Sequence, residues 1–502
     1  MDSMESQFTD NSVQLVPKCR SGRLELREGY DPGVSTETGS LEYLGRTTGF
    51  PMNMSFVSCD PWVRQAIIAL YGHMPKELKG WSRSGATLSR VKQALSKYDR
   101  VRPGLPQGDA AFQMAVELAF NAFKLPSKLK PKKLTDVDLE LNASAGWSWL
   151  GMKKRDVLSS AIVEAEKYQR LIAQRKLAKR YLPPCVSYKR TQLALLTKPK
   201  VRMVWGYPVE ITLLEGKYAQ PLIDEYSVRD APMFIGRTIL KELPMFMDSL
   251  FWYGGGVGLD MSSFDAAASA GMIHLAFKVL KQNLELSEQA EKELRFVEDY
   301  FINTPVVTSD GDVFIKHGGV PSGSFFTQLV DSVINFIIIA YLQFRTFGDM
   351  WTRIKVLGDD SVFSVPRGVK IDLAKWAVIA QEKFGMQINV AKSFIADKPR
   401  DLEFLGHASF LGRVWRDPVK LHLLALYPEY GVPDAATSVA RVQGILVDSG
   451  FQSHSILALY KIMLELYGQP GELKRDKSIR YVIQRRFPIN RRVELHELEA
   501  VS

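Results

Sequence analysis

Gly358-Asp359-Asp360 stands between two short apolar runs, Ile354 to Leu357 and Ser361 to Val365. Two runs of strand length around a tight turn predict an antiparallel hairpin. Gly358 permits the turn and leaves the backbone accessible. An Asp-Asp pair at such a tip is, by itself, equally an exposed β-turn.

A second acidic pair changes that reading. Phe251 to Leu259 leads through glycines into a strand that ends at Asp260, and the chain then turns toward Asp265. Carboxylates from two separate strand ends can converge on hard cations. Magnesium keeps several waters and takes one or two carboxylates plus substrate phosphates. Two such ions about 3.5–4 Å apart stabilise both oxygens of an in-line phosphoryl displacement. Asp260 and Asp359 are the expected ligands of Mg2+, with Asp360 assisting and Mn2+ as a substitute. Asp265, five residues past Asp260, is placed to reach the sugar of a nucleotide instead.

Between these pairs lies Gly318 to Thr327, a glycine-rich loop that feeds a long helix through Asp331, Asn335 and Tyr341. Gly323 gives mobility, and the helix N-terminus with Ser322 offers donors to phosphate or ribose. Thr327, Asp331 and Asn335 fall at i, i+4 and i+8, on one helix face. Alone, this is a helix cap with a polar stripe. In order with the two acidic pairs, it reads as part of a nucleotide site.

The net charge of +10 over 502 residues is unevenly spread. Asn121 to Arg202 holds 19 Lys/Arg against 6 Asp/Glu, and Lys474 to Arg492 holds 8 basic residues against Asp476 alone. The other 401 residues carry a net −10. One basic run is ordinarily a solvated face. Two runs flanking an acidic middle fit a polyanion in a channel, because Lys and Arg neutralise phosphates and release counterions.

Cys19, Cys59 and Cys185 are too few and too far apart for a disulfide framework or a cysteine zinc site. They suit a reducing compartment. No signal peptide is visible at the N-terminus. The strongest apolar run, Val333 to Leu342, is well short of the roughly 20 residues of a membrane span and reads as a buried helix. Gly254 to Gly258 lacks the GK[ST] of a phosphate loop. His317 reads as structural, and Trp147 and Trp149 read as core, with base stacking the alternative. Residues 1–55 are polar and read as a loosely ordered arm. Asp60 to Leu95 reads as mostly helical, as do Ala110 to Phe123, Arg155 to Arg180 and the chain from Pro433 onward. Gln192 to Leu196 reads as a strand. The whole is a mixed α+β pattern.

The order of the three elements resembles the palm of a viral RNA-dependent RNA polymerase: Asp260 and Asp265, then Ser322, Gly323 and Thr327, then Gly358, Asp359 and Asp360. GVPSGSFFTQLVDS and Phe404-Leu405-Gly406 look most like polymerases of partitiviruses and the neighbouring picobirnaviruses, small double-stranded RNA viruses. Asn142 to Gly146 resembles the loop where template enters. Lys189-Arg190, then Lys198, Lys200 and Arg202, resemble the basic motif that holds the triphosphate. Gly385 to Lys392 resembles the next palm motif, whose lysine protonates the leaving pyrophosphate. Glu403 to Phe410 resembles the hairpin that grips the primer. The matches run from about residue 140 to 411. Many relatives have Asn four residues after the threonine, contacting the ribose 2′-hydroxyl. Here Asp331 stands there, and Asn335 comes one turn later.

The resemblance implies a right-hand fold with an antiparallel palm sheet. It implies an N-terminal extension or fingers at 1–90, fingers at 91–203 and 233–250, palm at 204–232 and 251–405, and a thumb at 406–502. It implies RNA synthesis for replication and transcription, with Asp260, Asp359, Asp360 and Lys392 catalytic. Lys189, Lys198, Lys200, Arg202, Asp265, Ser322, Gly323, Thr327, Asp331 and Asn335 would contact nucleotide. Asn142, Ser144, Gly146, Arg480, Arg485 and Arg486 would contact RNA. The expected partners are template and product RNA, nucleoside triphosphates and a viral capsid protein, with no membrane. The expected location is the virion interior and the host cytoplasm. A reverse transcriptase shares these acids, but Leu357-Gly358 replaces its usual aromatic-containing box. A non-catalytic RNA-binding or capsid-associated protein is the rival from another class, and the intact acids argue against it.

Overall fold

Ile354–Leu357 pairs antiparallel with Asp360–Pro366, and Leu357 lies opposite Asp360. The loop between them is therefore Gly358-Asp359 alone. Gly358 has φ +65°, as a glycine at the first central position of a two-residue hairpin turn requires. Asp360–Pro366 pairs in turn with Gly254–Leu259, with Ser361 opposite Leu259. Phe394–Ala396 adds to the far side of Gly254–Leu259, which completes a four-stranded antiparallel sheet. One step past the Ser361–Leu259 pair, Asp260 arrives beside Asp360 and the turn. The glycines of Gly254–Leu259 answer to space: a side chain at Gly256 would meet Leu402 Cδ2 at 2.5 Å and the Phe251 ring at 3.0 Å.

The computed structural model describes residues 41–51, 59–85, 87–176, 182–351 and 353–471. Arg480, Arg485 and Arg486 lie outside the described residues, with the rest of the C-terminal basic segment and the first forty residues.

The long helix Thr327–Phe347 packs against Ala110–Ala122, Ala270–Lys281 and the Ile354–Leu357 strand. It is long and apolar enough to cross a bilayer, yet 83% of its apolar window is buried inside the protein. A helix that is apolar all round is a core helix here. Polar Ser332 and Asn335 are buried in it and face the hairpin turn.

A second sheet of five strands has the order Leu41–Arg46, Asp312–Lys316, Pro305–Val307, Cys185–Thr191, Val201–Gly206. Its first strand corrects the reading of a loose arm through residue 55. Leu41–Arg46 pairs along Asp312–Lys316, buries Leu44, and sets Tyr43 edge-on to Phe314 at 5.4 Å. Asp60 to Leu95 is less helical than expected. Pro61–Tyr71 stops at left-handed Gly72, and Trp81–Arg83 pairs with Leu193–Leu195 before helix Leu88–Leu95. The helix expected over Arg155 to Arg180 spans Lys154–Ala173, and residues 177–180 lie outside the described residues.

Helices Pro418–Leu426, Ala435–Asp448 and His454–Tyr467 form a separate hydrophobic cluster, and Pro61–Tyr71 packs among them. Asp60 ties this helix in. Its Oδ1 accepts from the Trp62 and Val63 amides at 3.1 Å. Its Oδ2 accepts from Ser438 Oγ at 2.5 Å and Arg441 Nη1 at 2.7 Å. Both partners of this ion pair are buried. Removing one partner of a buried pair strands the other charge, at a cost of about 3–5 kcal/mol. Arg441→Met is expected to lower the unfolding free energy by that order, measured by urea titration followed by circular dichroism.

Candidate active site

The turn that carries Asp359 is held from the long helix. Gly358 N–H donates to Ser332 Oγ at 2.9 Å. Asn335 Nδ2 donates to the carbonyls of Gly358 and Asp359, both at 3.0 Å. Asn335 is fully buried, so its amide positions the turn that carries Asp359; the nucleotide contact expected of it is not what this geometry provides. Asp260 is fixed by its main chain: its N–H donates to Ser393 Oγ at 3.1 Å, and its carbonyl accepts from the Asn389 amide at 2.8 Å.

The carboxylates crowd one another. Burial raises the Asp359 carboxyl above its ordinary range, and the charge of Asp260 adds to this while Arg202 opposes it. Asp360 is pushed up to about 7, first by the protein packed around it and then by Asp359, Glu403 and Asp260. Asp360 is nevertheless solvent-exposed on the hairpin. Water that reaches an exposed carboxyl weakens the contributions of packing and of neighbouring charge alike. An acidic edge of this kind favours a cation. Among the described residues, no three or more His, Cys, Asp or Glu side chains form a closed cage.

Basic residues face the acids. Lys392 Nζ lies 3.8 Å from Asp260 Oδ2, with both side chains partly exposed. Lys200 is lowered, chiefly by the charge of Lys392. Arg202 is exposed on Val201–Gly206, and its charge restrains the upward shifts of Asp265, Asp359 and Asp360. Lys198 is exposed just before this strand. Lys189 is not brought to the same face. It pairs across from buried Met203, whereas Arg190 pairs across from Arg202 and donates to Glu429 at 3.2 Å.

Asp265 accepts a hydrogen bond from the Ser322 hydroxyl. Burial raises its carboxyl, and that bond opposes the rise. Gly323 has φ +144°, and a side chain there would meet Trp205 O at 2.1 Å. Thr327 closes the loop by donating to Pro321 O at 3.1 Å. Asp331 is 2% exposed, its Oδ1 has no hydrogen-bond partner, and burial followed by Asp265 and Asp359 holds it well above the ordinary range.

The Asn142 to Gly146 loop is tied to the second sheet through Ser144 Oγ and Tyr188 OH, 2.6 Å apart. Asn142 accepts from Arg155 Nη1 at 3.0 Å, and Gly146 packs against the Pro208 main chain. Trp147 and Trp149 are core residues.

Glu215 is a site residue that the motifs did not reveal. Fully buried on helix Val209–Val228, it accepts from Ser324 Oγ at 2.7 Å and the Phe325 amide at 3.1 Å. It thereby anchors the loop that carries Ser322. Its signal was an acid, like Glu210, in the apolar first half of that helix. Ser332, Ser393, Tyr98 and Arg102 carried no such signal.

The sequence model of the family described as viral RNA-dependent RNA polymerase matches residues 69–464. The chain is 27% identical over 314 residues to the RNA-directed RNA polymerase of Cryptosporidium parvum virus 1, covering 57% of this chain and 58% of that protein. It is 32% identical over 216 residues to that of Atkinsonella hypoxylon virus, covering 41% and 32%. It is 28% identical over 174 residues to that of white clover cryptic virus 1, covering 33% and 28%. The chain thus spans under two thirds of each relative's length. The solved structure of a sicinivirus 3Dpol RNA-dependent RNA polymerase matches with a TM-score of 0.69 at 15% identity, covering 89% of this chain and 99% of that one. The shared fold is the right-handed polymerase architecture.

Glu215 is pushed up to about 8 by burial, against the bonds from Ser324 and Phe325. A carboxyl raised in the folded state binds more protons folded than unfolded. Its contribution to stability therefore falls as pH rises from about 4.5 to about 8, and is constant above that. Glu215→Gln cannot ionise. Relative to this variant, the wild type is expected to lose unfolding midpoint between pH 5.5 and 8, measured by urea titration.

Proposed function

Because this chain belongs to the viral RNA-dependent RNA polymerases, we propose that it carries out template-directed nucleotidyl transfer on RNA, replicating and transcribing the genome of a small double-stranded RNA virus. The observation that carries this reading is the meeting of Asp260 with the Asp359 turn on adjoining antiparallel strands, faced by Arg202 and Lys392.

Asp260 and Asp359 are the proposed holders of divalent cations, with Asp360 beside them. Bound Mg2+, or Mn2+ in its place, supplies Lewis acidity for the attacking and leaving oxygens. Arg202 and Lys200 meet the oxygens of the triphosphate, where charge-assisted hydrogen bonds are strongest. Lys198 adds long-range attraction. Lys392, already within reach of Asp260, gives its proton to the departing pyrophosphate. Asp265 and Ser322 meet the sugar, on a loop that Gly323 and Thr327 shape. Asp331 lies beneath them with an acceptor to spare.

Asn142, Ser144 and Gly146 line the template path, and Arg480, Arg485 and Arg486, outside the described residues, bind RNA. The division into fingers, palm and thumb follows the boundaries given above. A capsid protein as partner, and a location in the virion interior and host cytoplasm, complete the proposal.

Asp359→Asn is expected to lower magnesium-dependent incorporation of labelled UTP on an RNA template by roughly 100-fold or more, with folding and RNA affinity retained. Full activity in that variant refutes the reading. Lys392→Leu removes a proton donor and is expected to lower kcat roughly 100-fold with little change in KM, read from single-turnover kinetics. Preference for deoxynucleotides over ribonucleotides on the same template would favour the reverse transcriptase instead.

A further inference from the structure

The chain from Tyr98 to Arg102 carries none of the motifs above, yet it reaches beneath Asp265 and Ser322. Arg102 is buried, and its guanidinium donates to main-chain oxygens on separate segments. Nη2 and Nε reach Ala266 O at 2.8 and 3.2 Å. Nη2 also reaches Tyr98 O at 3.1 Å, and Nη1 reaches His317 O at 3.5 Å. Ala266 directly follows Asp265, and His317 leads into the loop toward Ser322.

Tyr98 donates its hydroxyl to Val320 O at 2.8 Å and accepts from Trp205 Nε1 at 3.3 Å. Its ring stands edge-on to Trp205 at 5.2 Å. Trp205 in turn donates its amide to Ser322 O at 2.9 Å. Buried Lys316 reinforces the same loop through Gly319 O at 2.7 Å.

The two loops held in this way are also joined to each other. Val320 N–H donates to Asp265 O, and Gly319 N–H donates to Ala268 O, both at 2.7 Å. The Ser322 hydroxyl closes the set on the Asp265 carboxylate. Just before them, Ser263 sits at φ +54°, a left-handed conformation that persists only where the surroundings over-determine it. The Arg102 bonds to Ala266 help supply that constraint. A shift of this floor would move Asp265 and Ser322 together.

We infer that Tyr98 and Arg102 are positioning residues for sugar recognition, fixing the Asp265–Ser322 pair in the geometry that separates ribose from deoxyribose in the incoming nucleotide. This rests on the polymerase reading above. Neither residue touches the nucleotide, since both are buried under the loops they hold. A guanidinium suits the task because its planar fork holds the Ala266, Tyr98 and His317 carbonyls at fixed relative angles.

The test compares full-length wild type, Tyr98→Phe and Arg102→Lys. It measures kcat/KM for UTP and for 2′-deoxy-UTP on a poly(A) template with an oligo(U) primer, and primer–template affinity alongside. The ratio of the two nucleotides is expected to fall about five-fold in Tyr98→Phe, of the order of one neutral hydrogen bond, and further in Arg102→Lys. Primer–template affinity is expected to stay at the wild-type value. An unchanged ratio, or an equal loss for both nucleotides, overturns the inference. If Arg102→Lys does not fold, Tyr98→Phe decides, because it keeps the ring and removes only the hydroxyl. A wild-type chain inert toward both nucleotides would instead overturn the polymerase reading itself.

Discussion

The rest of this structure depends on keeping mutually repelling carboxylates together. Asp260 and Asp359 come from strands that pair through a common neighbour, and Asp360 opens the strand between them. Left to themselves, like charges at close range separate or neutralise, and the raised carboxyls of Asp359 and Asp360 are the trace of that pressure. The fold answers with rigid attachment. The sheet register sets Asp260 against the hairpin, Ser332 and Asn335 clamp the turn, and Ser393 and Asn389 fix the Asp260 main chain.

The same principle extends outward from the acids. The loop carrying Ser322 is held by Glu215 on one side and by the Trp205 main chain on another. The Asp265 turn is held by Arg102 from a segment far away in sequence. Groups that would meet substrate are thus mounted on buried polar side chains whose hydrogen bonds are spent on main chain. Such mounts matter because a reacting group misplaced by an ångström loses much of its effect.

Much of this was legible in the sequence, for a physical reason. The hairpin, the strand ending at Asp260 and the long helix are local elements, and each has a local signature of apolar period and turn residue. The α+β class follows from them, and the antiparallel palm sheet from the resemblance that their order carries. What could not be read depends on contacts between distant segments. Leu41–Arg46 looks like a polar tail until Asp312–Lys316 is there to pair with it. Asn335 looks like a ligand contact on its helix face, and only the arrival of the turn shows where its amide goes. Lys189 and Arg202 look like one basic cluster, and only the strand register separates their faces. Arg102 acts through main-chain atoms, which leave no side-chain motif to find, and Glu215 acts on a serine hydroxyl and an amide more than a hundred residues away.

The most direct test of this account is the thermal midpoint of metal-free protein as magnesium is added, in wild type and in Asp359→Asn. A cation that binds only the folded acidic edge stabilises it by mass action. The account predicts that the wild-type midpoint climbs with magnesium. It also predicts that the variant, relieved of one charge, starts no lower than wild type and gains little. A wild-type midpoint indifferent to magnesium, or an equal rise in both proteins, would contradict it.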